Sequence, residues 1–293
     1  MKNIYKTYKI SKELTPDMKY AIEQLTANQE GFGSFLVDAS NFFKKKIDAI
    51  RGVFGLNSKN DTKEISKESS KLYKDLQSYD KLVKSIGSKQ DKYDAVSSII
   101  VPWIPGVKSD LYTLVTGLKS NVSGIYDNGL PYLEEADTFL AKLLGDEEYA
   151  TSVIPNKELL GKLSSYKDST TKYLTDVIDG RTLMDNRELK DVIPNFSSVE
   201  VIHNSFKDMI VAKELENVQQ VFNKAESLAN RAKELYNRVQ SKDFTISTVR
   251  AKEMGPLLQD SAAIVTNIGA IVRLLDAGVT VHKAILQKLD KLI

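Results

Sequence analysis

The sequence predicts an all-α protein, an elongated bundle of long amphipathic helices. Apolar residues recur at three- and four-residue spacing over most of the 293 residues, which is the pattern of helices with one buried face. Nearly all of the seven prolines stand where this spacing starts or stops, as the fixed φ and missing N–H of proline require. No alternation of apolar and polar residues is long enough to build a sheet.

Residues 1–30 are predicted to form an amino-terminal arm with one short helix. Thr15 is suited to cap that helix, because proline and aspartate follow it at the first helical positions. Gly31 and Gly33 then interrupt the apolar spacing. A long amphipathic helix is predicted after them, with its end at Gly55.

Residues 31–194 are predicted to form one helical subdomain that is broken at residues 99–107. The broken segment reads Ile-Ile-Val-Pro-Trp-Ile-Pro-Gly-Val, so prolines prevent a regular helix while most of the segment is large and apolar. The favoured interpretation is a buried elbow at which two helical subdomains join. The alternative is an apolar tip, with Trp103 and Ile104 at its centre, that inserts into a partner or a membrane.

The other helices of this region follow from shorter apolar repeats. The spacing predicts helices over residues 65–86, 111–125, 131–145 and 159–177. Turn residues at Asp127, Asn128 and Gly129 separate the second of these helices from the third.

Residues 195–293 are predicted to form a hairpin of two long helices. From about residue 198 to 241 the apolar stripe contains no glycine or proline, and an unbroken helix of roughly 40 residues would extend about 60 Å. The last helix is predicted to begin at Pro256 and to continue almost to the end of the chain. Helices of this length should project from a compact core or lie against equally long neighbours.

Composition narrows the classes of function. The 41 lysines and arginines are balanced by 39 acidic residues, so the net charge of +2 gives no overall bias towards nucleic acid or an anionic membrane. The absence of cysteine removes disulfides, thiolate metal sites and thiol nucleophiles.

The amino end lacks the continuous apolar region of a secretory signal. The apolar stretch at 264–281 contains Arg273 and Asp276, and it is therefore predicted to be a core helix.

No enzyme motif is found in the sequence. His203 and His282 are the only histidines, and each is predicted to be an ordinary helix residue because no second ligand lies at metal-binding spacing. Short glycine-lysine fragments do not complete a phosphate loop, and Asp127-Asn128-Gly129 lacks the alternating acidic ligands of a calcium loop. We therefore expect a protein that is not an enzyme and has no cofactor or metal. An active site assembled between subunits is the remaining enzymatic interpretation.

One basic run is the second candidate interaction site. Lys44, Lys45 and Lys46 follow two phenylalanines on an amphipathic helix, where they could contact phosphate groups. The favoured interpretation is that these lysines cover the solvated face of a core helix.

In overall character the chain resembles the helical structural proteins in virions of large tailed bacteriophages, especially internal or accessory head components. The resemblance lies in a helical chain rich in Lys, Asn, Ser, Asp and Tyr, without cysteine, with two histidines and a lysine-rich amino end. It implies a non-enzymatic structural or scaffolding protein of the virion, assembled in the host cytoplasm. Its partners would be other protein subunits, including copies of itself; nucleic acid is a further candidate, and a membrane is not favoured. A cytoplasmic location is the alternative.

The alternative function is an α-helical pore-forming or membrane-active protein that resembles helical-bundle toxins. Such toxins store an apolar hairpin against a bundle of long helices, and residues 99–107 would be that element. The segment is shorter than the roughly 20 apolar residues that a membrane-spanning helix requires. A liposome-leakage assay distinguishes the two functions.

Overall fold

The structure, a computed structural model, describes residues 29–51, 70–164, 169–178, 186–210, 212–241 and 244–293. These residues are mostly helical, and the predicted all-α class is confirmed. The described α-helices are α1 (Gln29–Arg51), α2 (Asp80–Gly87), α3 (Tyr93–Val96), α4 (Leu111–Gly124), α5 (Leu130–Gly145), α6 (Glu147–Thr151), α7 (Lys157–Ser164), α8 (Ser169–Val177), α9 (Ser197–Ile210), α10 (Ala212–Gln240) and α11 (Thr248–Asp290). Residues 70–77 are also helical, and a π-helical turn (Ile125–Gly129) joins α4 to α5.

The buried apolar side chains of these helices form one hydrophobic cluster that extends from α1 to α11. Helix α10 packs on α1 and α5, whereas α9 packs on α2 and α4. The predicted division at residue 195, with a carboxyl-terminal helix hairpin, stays a prediction, as does the junction of two subdomains near residues 99–107. The predicted short helix after Thr15 lies outside the described residues.

Part of the segment at residues 99–107 forms a short strand where the sequence predicts only a broken helix. Strand β1 (Ile100–Pro102) and strand β2 (Asn186–Glu188) form a small antiparallel sheet. Trp103 and Ile104 have no exposed surface, as expected for a buried segment, whereas Ile100 is 52% exposed. The Trp103 indole N–H donates to the carbonyl of Val107 at 2.8 Å, and the guanidinium of Arg187 lies 5.0 Å from the centre of its ring. A strand pairing satisfies backbone groups that the prolines exclude from a helix.

Helix α11 is the central helix of the fold and the longest one described. It contains 43 residues, about 65 Å of helix, and most of its side chains are buried. Ser247 caps it by accepting a hydrogen bond from the backbone N–H of Arg250 at 3.2 Å. The prediction that this helix begins at Pro256 is therefore wrong: the helix continues through Pro256, and its extensive burial outweighs the hydrogen bond and the backbone fit that proline costs there.

The structure differs from the predicted helices at two other places. In place of one unbroken helix over 198–241, the structure describes α9 and α10 on either side of Val211, which itself lies outside the described residues. The two helices contact different neighbours. Gly31 and Gly33 were expected to precede the first long helix, but both lie inside α1. Glycine lowers the stability of a helix without preventing it.

Candidate functional site

A short loop between α6 and α7 exposes two large branched side chains. Val153 is 74% exposed and Ile154 is 72% exposed, and Pro155, which follows them, is exposed as well. We call residues 153–155 the apolar loop. Leu160, on the first turn of α7, is the nearest exposed apolar residue along the chain. The apolar loop is the most exposed apolar feature among the residues that the structure describes.

The start of the apolar loop is fixed to the amino end of α11. The hydroxyl of Ser247 donates to the carbonyl of Ser152 at 2.6 Å, and its backbone N–H donates to the carbonyl of Ala150 at 3.0 Å. The backbone N–H of Ile154 in turn donates to the hydroxyl oxygen of Ser152 at 3.2 Å. One serine therefore caps α11 and holds the residue that leads into the loop.

The end of the apolar loop is fixed by a buried ion pair. Arg250 and Glu253 lie one turn apart on α11, with side chains only 4% and 5% exposed, and their closest N–O distance is 2.6 Å. The second oxygen of Glu253 accepts the backbone N–H of Asn156 at 2.6 Å. Asn156 then caps α7, because its side-chain oxygen accepts the backbone N–H of Leu159 at 3.0 Å.

Tyr149 completes this support from α6. The guanidinium of Arg250 lies 4.1 Å from the centre of the Tyr149 ring, and its Nε donates to the Tyr149 carbonyl at 3.0 Å. The Tyr149 hydroxyl accepts the side-chain N–H of Asn156 at 2.9 Å. The start of the apolar loop thus rests on the Ser247 hydroxyl and its end on the buried carboxylate of Glu253, so its exposed side chains are presented on a rigid base.

A polar cavity of about 210 Å³ lies beside this base. Its charged lining is paired internally: Lys162 contacts Glu135 at 2.8 Å and Glu158 at 3.4 Å. Hydrogen bonds to these two carboxylates raise the pKa of Lys162. The cavity offers charged walls and is unsuited to an apolar side chain.

The second notable cluster is buried between α2, α9 and α11. The two histidines of the chain meet there: Nδ1 of His203 lies 3.2 Å from Nε2 of His282. On its other side, Nε2 of His203 lies 2.9 Å from a carboxylate oxygen of Asp80. Lys207 donates to both oxygens of the same carboxylate, at 2.8 and 2.9 Å. We call Asp80, His203 and His282 the histidine chain.

The hydrogen bonds of the histidine chain define its proton positions. A carboxylate only accepts, so Nε2 of His203 carries the proton that faces Asp80. With His203 neutral, its Nδ1 accepts, and the Nε2–H of His282 must donate to it. Nδ1 of His282 is then an acceptor, and it has no hydrogen-bond partner among the residues described.

Burial dominates the ionisation of both rings. It lowers the pKa of His203 despite the opposing effect of Asp80, and it lowers the pKa of His282 from 6.5 to about 3, with a further contribution from His203. For Asp80, burial would raise the pKa, but the hydrogen bonds from Lys207 and His203 outweigh it and lower the pKa. Both histidines are therefore neutral at pH 7. Among the described residues, no group of three His, Asp or Glu side chains is arranged to hold a metal ion.

The interaction residues predicted from the sequence lie in neither cluster. Trp103 and Ile104 are enclosed in the core. On α1, Lys44 is half-buried and Lys45 is exposed, while the side chain of Lys46 lies outside the described part of the chain.

Sequence reasoning missed both clusters for different reasons. Val153 and Ile154 stand between Ser152 and Pro155 and do not fit the apolar spacing of any predicted helix. This mismatch could have indicated an exposed apolar loop. The two histidines are 79 positions apart, and only the packing of α9 on α11 joins them.

One described helix, α11, is long and apolar enough by length and composition to cross a membrane, with a mean hydropathy of 1.5 in its most apolar window. In this structure 83% of that window is buried, as in the core helix of a folded domain. Comparison with protein-family models, with curated proteins and with solved structures gives no match.

Proposed function

We propose that this protein is a non-enzymatic structural subunit of a larger protein assembly, and that it binds a neighbouring subunit through the apolar loop. The exposure of Val153 and Ile154 on a rigid base is the observation that carries the proposal. A virion of the kind named above is the assembly that the composition of the chain suggests.

The energetics favour binding by this loop. Burying a valine or isoleucine side chain contributes about 1.5–3 kcal/mol each. Two hydrogen bonds already fix the loop, one donated by the Ser247 hydroxyl to Ser152 and one accepted by Glu253 from Asn156, so little conformational entropy is lost when a partner binds. An apolar loop that is fixed before binding can fill a pocket of a partner at a low entropic cost.

The proposed partner is a different protein that offers an apolar pocket. The loop projects from the surface, so it requires a concave partner. The cavity beside the loop is lined by the paired charges of Lys162, Glu135 and Glu158, and an isoleucine from a second copy would desolvate them. Binding between unlike subunits fits these surfaces better than binding of one copy into the cavity of another.

The membrane-active alternative has one observation in its favour, the apolar composition of α11. The segment at residues 99–107 supports it less, since β1 pairs with β2 and Trp103 is enclosed. A leakage assay with dye-loaded vesicles separates the two functions. Leakage at neutral pH would favour the membrane-active function, and its absence is expected for a structural subunit.

The direct test replaces Ile154 by aspartate and measures incorporation into particles in the organism that encodes the chain. Native mass spectrometry of purified particles should find the wild-type chain bound to unlike subunits. Ile154→Asp should reduce incorporation at least tenfold, because a charge cannot enter an apolar pocket. Val201→Asp is the matched control, since Val201 is 44% exposed on α9, away from the loop.

Two results would count against the proposal. One is recovery of the wild-type chain only as a free monomer or as a homo-oligomer. The other is equal incorporation of Ile154→Asp and Val201→Asp, with both variants as stable as wild type.

A further inference from the structure

We propose that the histidine chain is an acid-sensitive latch: it holds the carboxyl-terminal half of α11 against α2 and α9 at neutral pH and releases that contact when the histidine pair takes up protons. The inference is independent of the apolar loop and of the assembly function proposed above. It rests on the position of three polar side chains, one on each of three packed helices.

The geometry allows the pair to share only one proton between the rings. The facing nitrogens of His203 and His282 are 3.2 Å apart, so one must donate and the other accept. A proton added to Nδ1 of His203 would place two N–H groups against each other, or would move the His282 proton to its Nδ1, where the N–H has no acceptor among the described residues. A proton added to Nδ1 of His282 would create a buried charge at a nitrogen that has no partner among the described residues.

The packing around His282 leaves no room for the ring to move away. The Phe206 ring centre lies 5.6 Å from that of His282. One turn earlier on α11, a Cβ atom at Gly278 would lie 2.9 Å from the Phe206 ring, so the helices are as close as glycine permits there. A charged His282 is therefore relieved by separating α11 from α9 rather than by rotating in place.

The surrounding charges do not compensate a protonated pair. The charged groups that act on His203 are Asp80 on α2 and Lys207 and Glu200 on α9. Tyr73 and Asp75 in residues 70–77 contact Lys207 and Lys283, respectively. The Asp80 carboxylate is already bound by Lys207 through both oxygens, and Asp75 is paired with Lys283. Glu200 is exposed to solvent. Among the residues that the structure describes, His203 is the titratable group that acts on His282, and no carboxylate does so.

The sign and size of the effect follow from linkage. The pKa of His282 is about 3 when it is packed and 6.5 when it is released. Its contribution to stability is therefore complete well above pH 6.5 and is lost as the pH falls from that value towards 3. Between pH 7 and pH 5, these two values increase the equilibrium constant for release about 25-fold. The lowered pKa of His203 acts in the same direction.

The first test measures hydrogen exchange in the full-length chain at pH 7 and pH 5, corrected for intrinsic exchange rates. Protection factors in the last three turns of α11, in α2 and in α9 should fall about 25-fold or more, while those of α5 and α10 change little. Loss of protection that is equal in all helices would indicate global unfolding and would overturn the latch. Unchanged protection at pH 5 would overturn it as well.

The matched variant is His282→Gln, whose side-chain N–H can still donate to Nδ1 of His203 but does not titrate. It should reduce the pH effect to the residual contribution of His203, a severalfold change. Asp208→Asn, which removes an exposed carboxylate on α9, should retain the full wild-type effect. A pH effect in His282→Gln as large as that of wild type would refute the latch.

A measurement on the wild-type chain keeps the proposal testable if His282→Gln fails to fold. The chain contains only two histidines, so their ¹⁵N signals are readily resolved. In the packed state both rings should carry the proton on Nε2, and His282 should remain neutral at pH 5. A packed-state titration of His282 near pH 6.5 would overturn the inference.

Discussion

Replacing Glu253 by glutamine should destabilise the protein strongly, although the substitution only exchanges one carboxylate oxygen for an NH₂ group. Glu253 accepts a hydrogen bond from Arg250 with one oxygen and from the backbone of Asn156 with the other, both at 2.6 Å. A glutamine can present an oxygen to only one of these donors. Its NH₂ group must then face the other donor, whichever way the amide is turned.

The magnitude follows from the burial of the pair. Arg250 is 4% exposed and would keep its charge without a partner of opposite sign. Removing one member of a buried ion pair costs about 3–5 kcal/mol. Unfolding entropy is about 2.1 cal/mol/K per residue, so for 293 residues this corresponds to a decrease of about 5–8 °C in Tm.

Urea unfolding followed by circular dichroism measures this difference, with Asp208→Asn as the control. Asp208 pairs with Lys119 at 2.6 Å, but both side chains are more than half exposed, so its loss should cost less than about 1 kcal/mol. Equal free energies of unfolding for Glu253→Gln and Asp208→Asn would refute the account of the buried pair.

Three further substitutions test the packing. Phe222→Asp places a carboxylate at a position that is 2% exposed, and it should lower the free energy of unfolding by more than about 4 kcal/mol; unchanged thermal melting would contradict the core position of this residue. Gly117→Ala would bring a Cβ atom to 2.3 Å from the Tyr173 ring and should cost about 1–3 kcal/mol, whereas Gly161→Ala, with open space around it, should not destabilise in the same urea assay. Trp103→Phe removes a buried N–H donor and should cost about 1–3 kcal/mol, with thermal unfolding as the measurement and an unchanged Tm as the contradicting result.

Most helices could be predicted from the sequence because each buries one face in a common core. The spacing over 111–125 corresponds to α4, and the spacing over 131–145 corresponds to α5 within one residue at each bound. Local chemistry was sufficient there: Pro131 is tolerated in the first turn of α5, and the helix ends at Gly145. These signals act within a few residues, so sequence reasoning can find them.

The errors arose where distant contacts override local preference. Pro256 has the local signature of a helix start, yet tertiary packing continues α11 for eight residues before it, as far as the cap at Ser247. Strand β1 has no local alternation, and it forms because residues 186–188 are brought beside it. Neither partner can be recognised from the segment alone.

The candidate sites were less predictable than the fold for the same reason. Asn156 and Glu253, which fix the apolar loop, are 97 positions apart. His203 and His282 have no sequence neighbours that suggest a shared hydrogen bond. Their roles depend on which helices pack together, and apolar spacing identifies a buried face without identifying its partner.

The apolar composition of α11 does not by itself distinguish a helix in a membrane from a helix in a protein core. By length and hydropathy it could cross a bilayer, but its polar groups are matched to particular neighbours in this fold. Asn267 donates to the hydroxyl of Thr171 on α8 at 2.9 Å, and Asp260 accepts the hydroxyl proton of Tyr132 on α5 at 2.8 Å. Lipid would offer no replacement for these partners, and each unmatched group would cost several kcal/mol. The pairing of these polar side chains, rather than the apolar content of the helix, therefore argues that α11 belongs in the protein core at neutral pH. Nδ1 of His282 is a position on α11 at which that pairing is incomplete among the described residues.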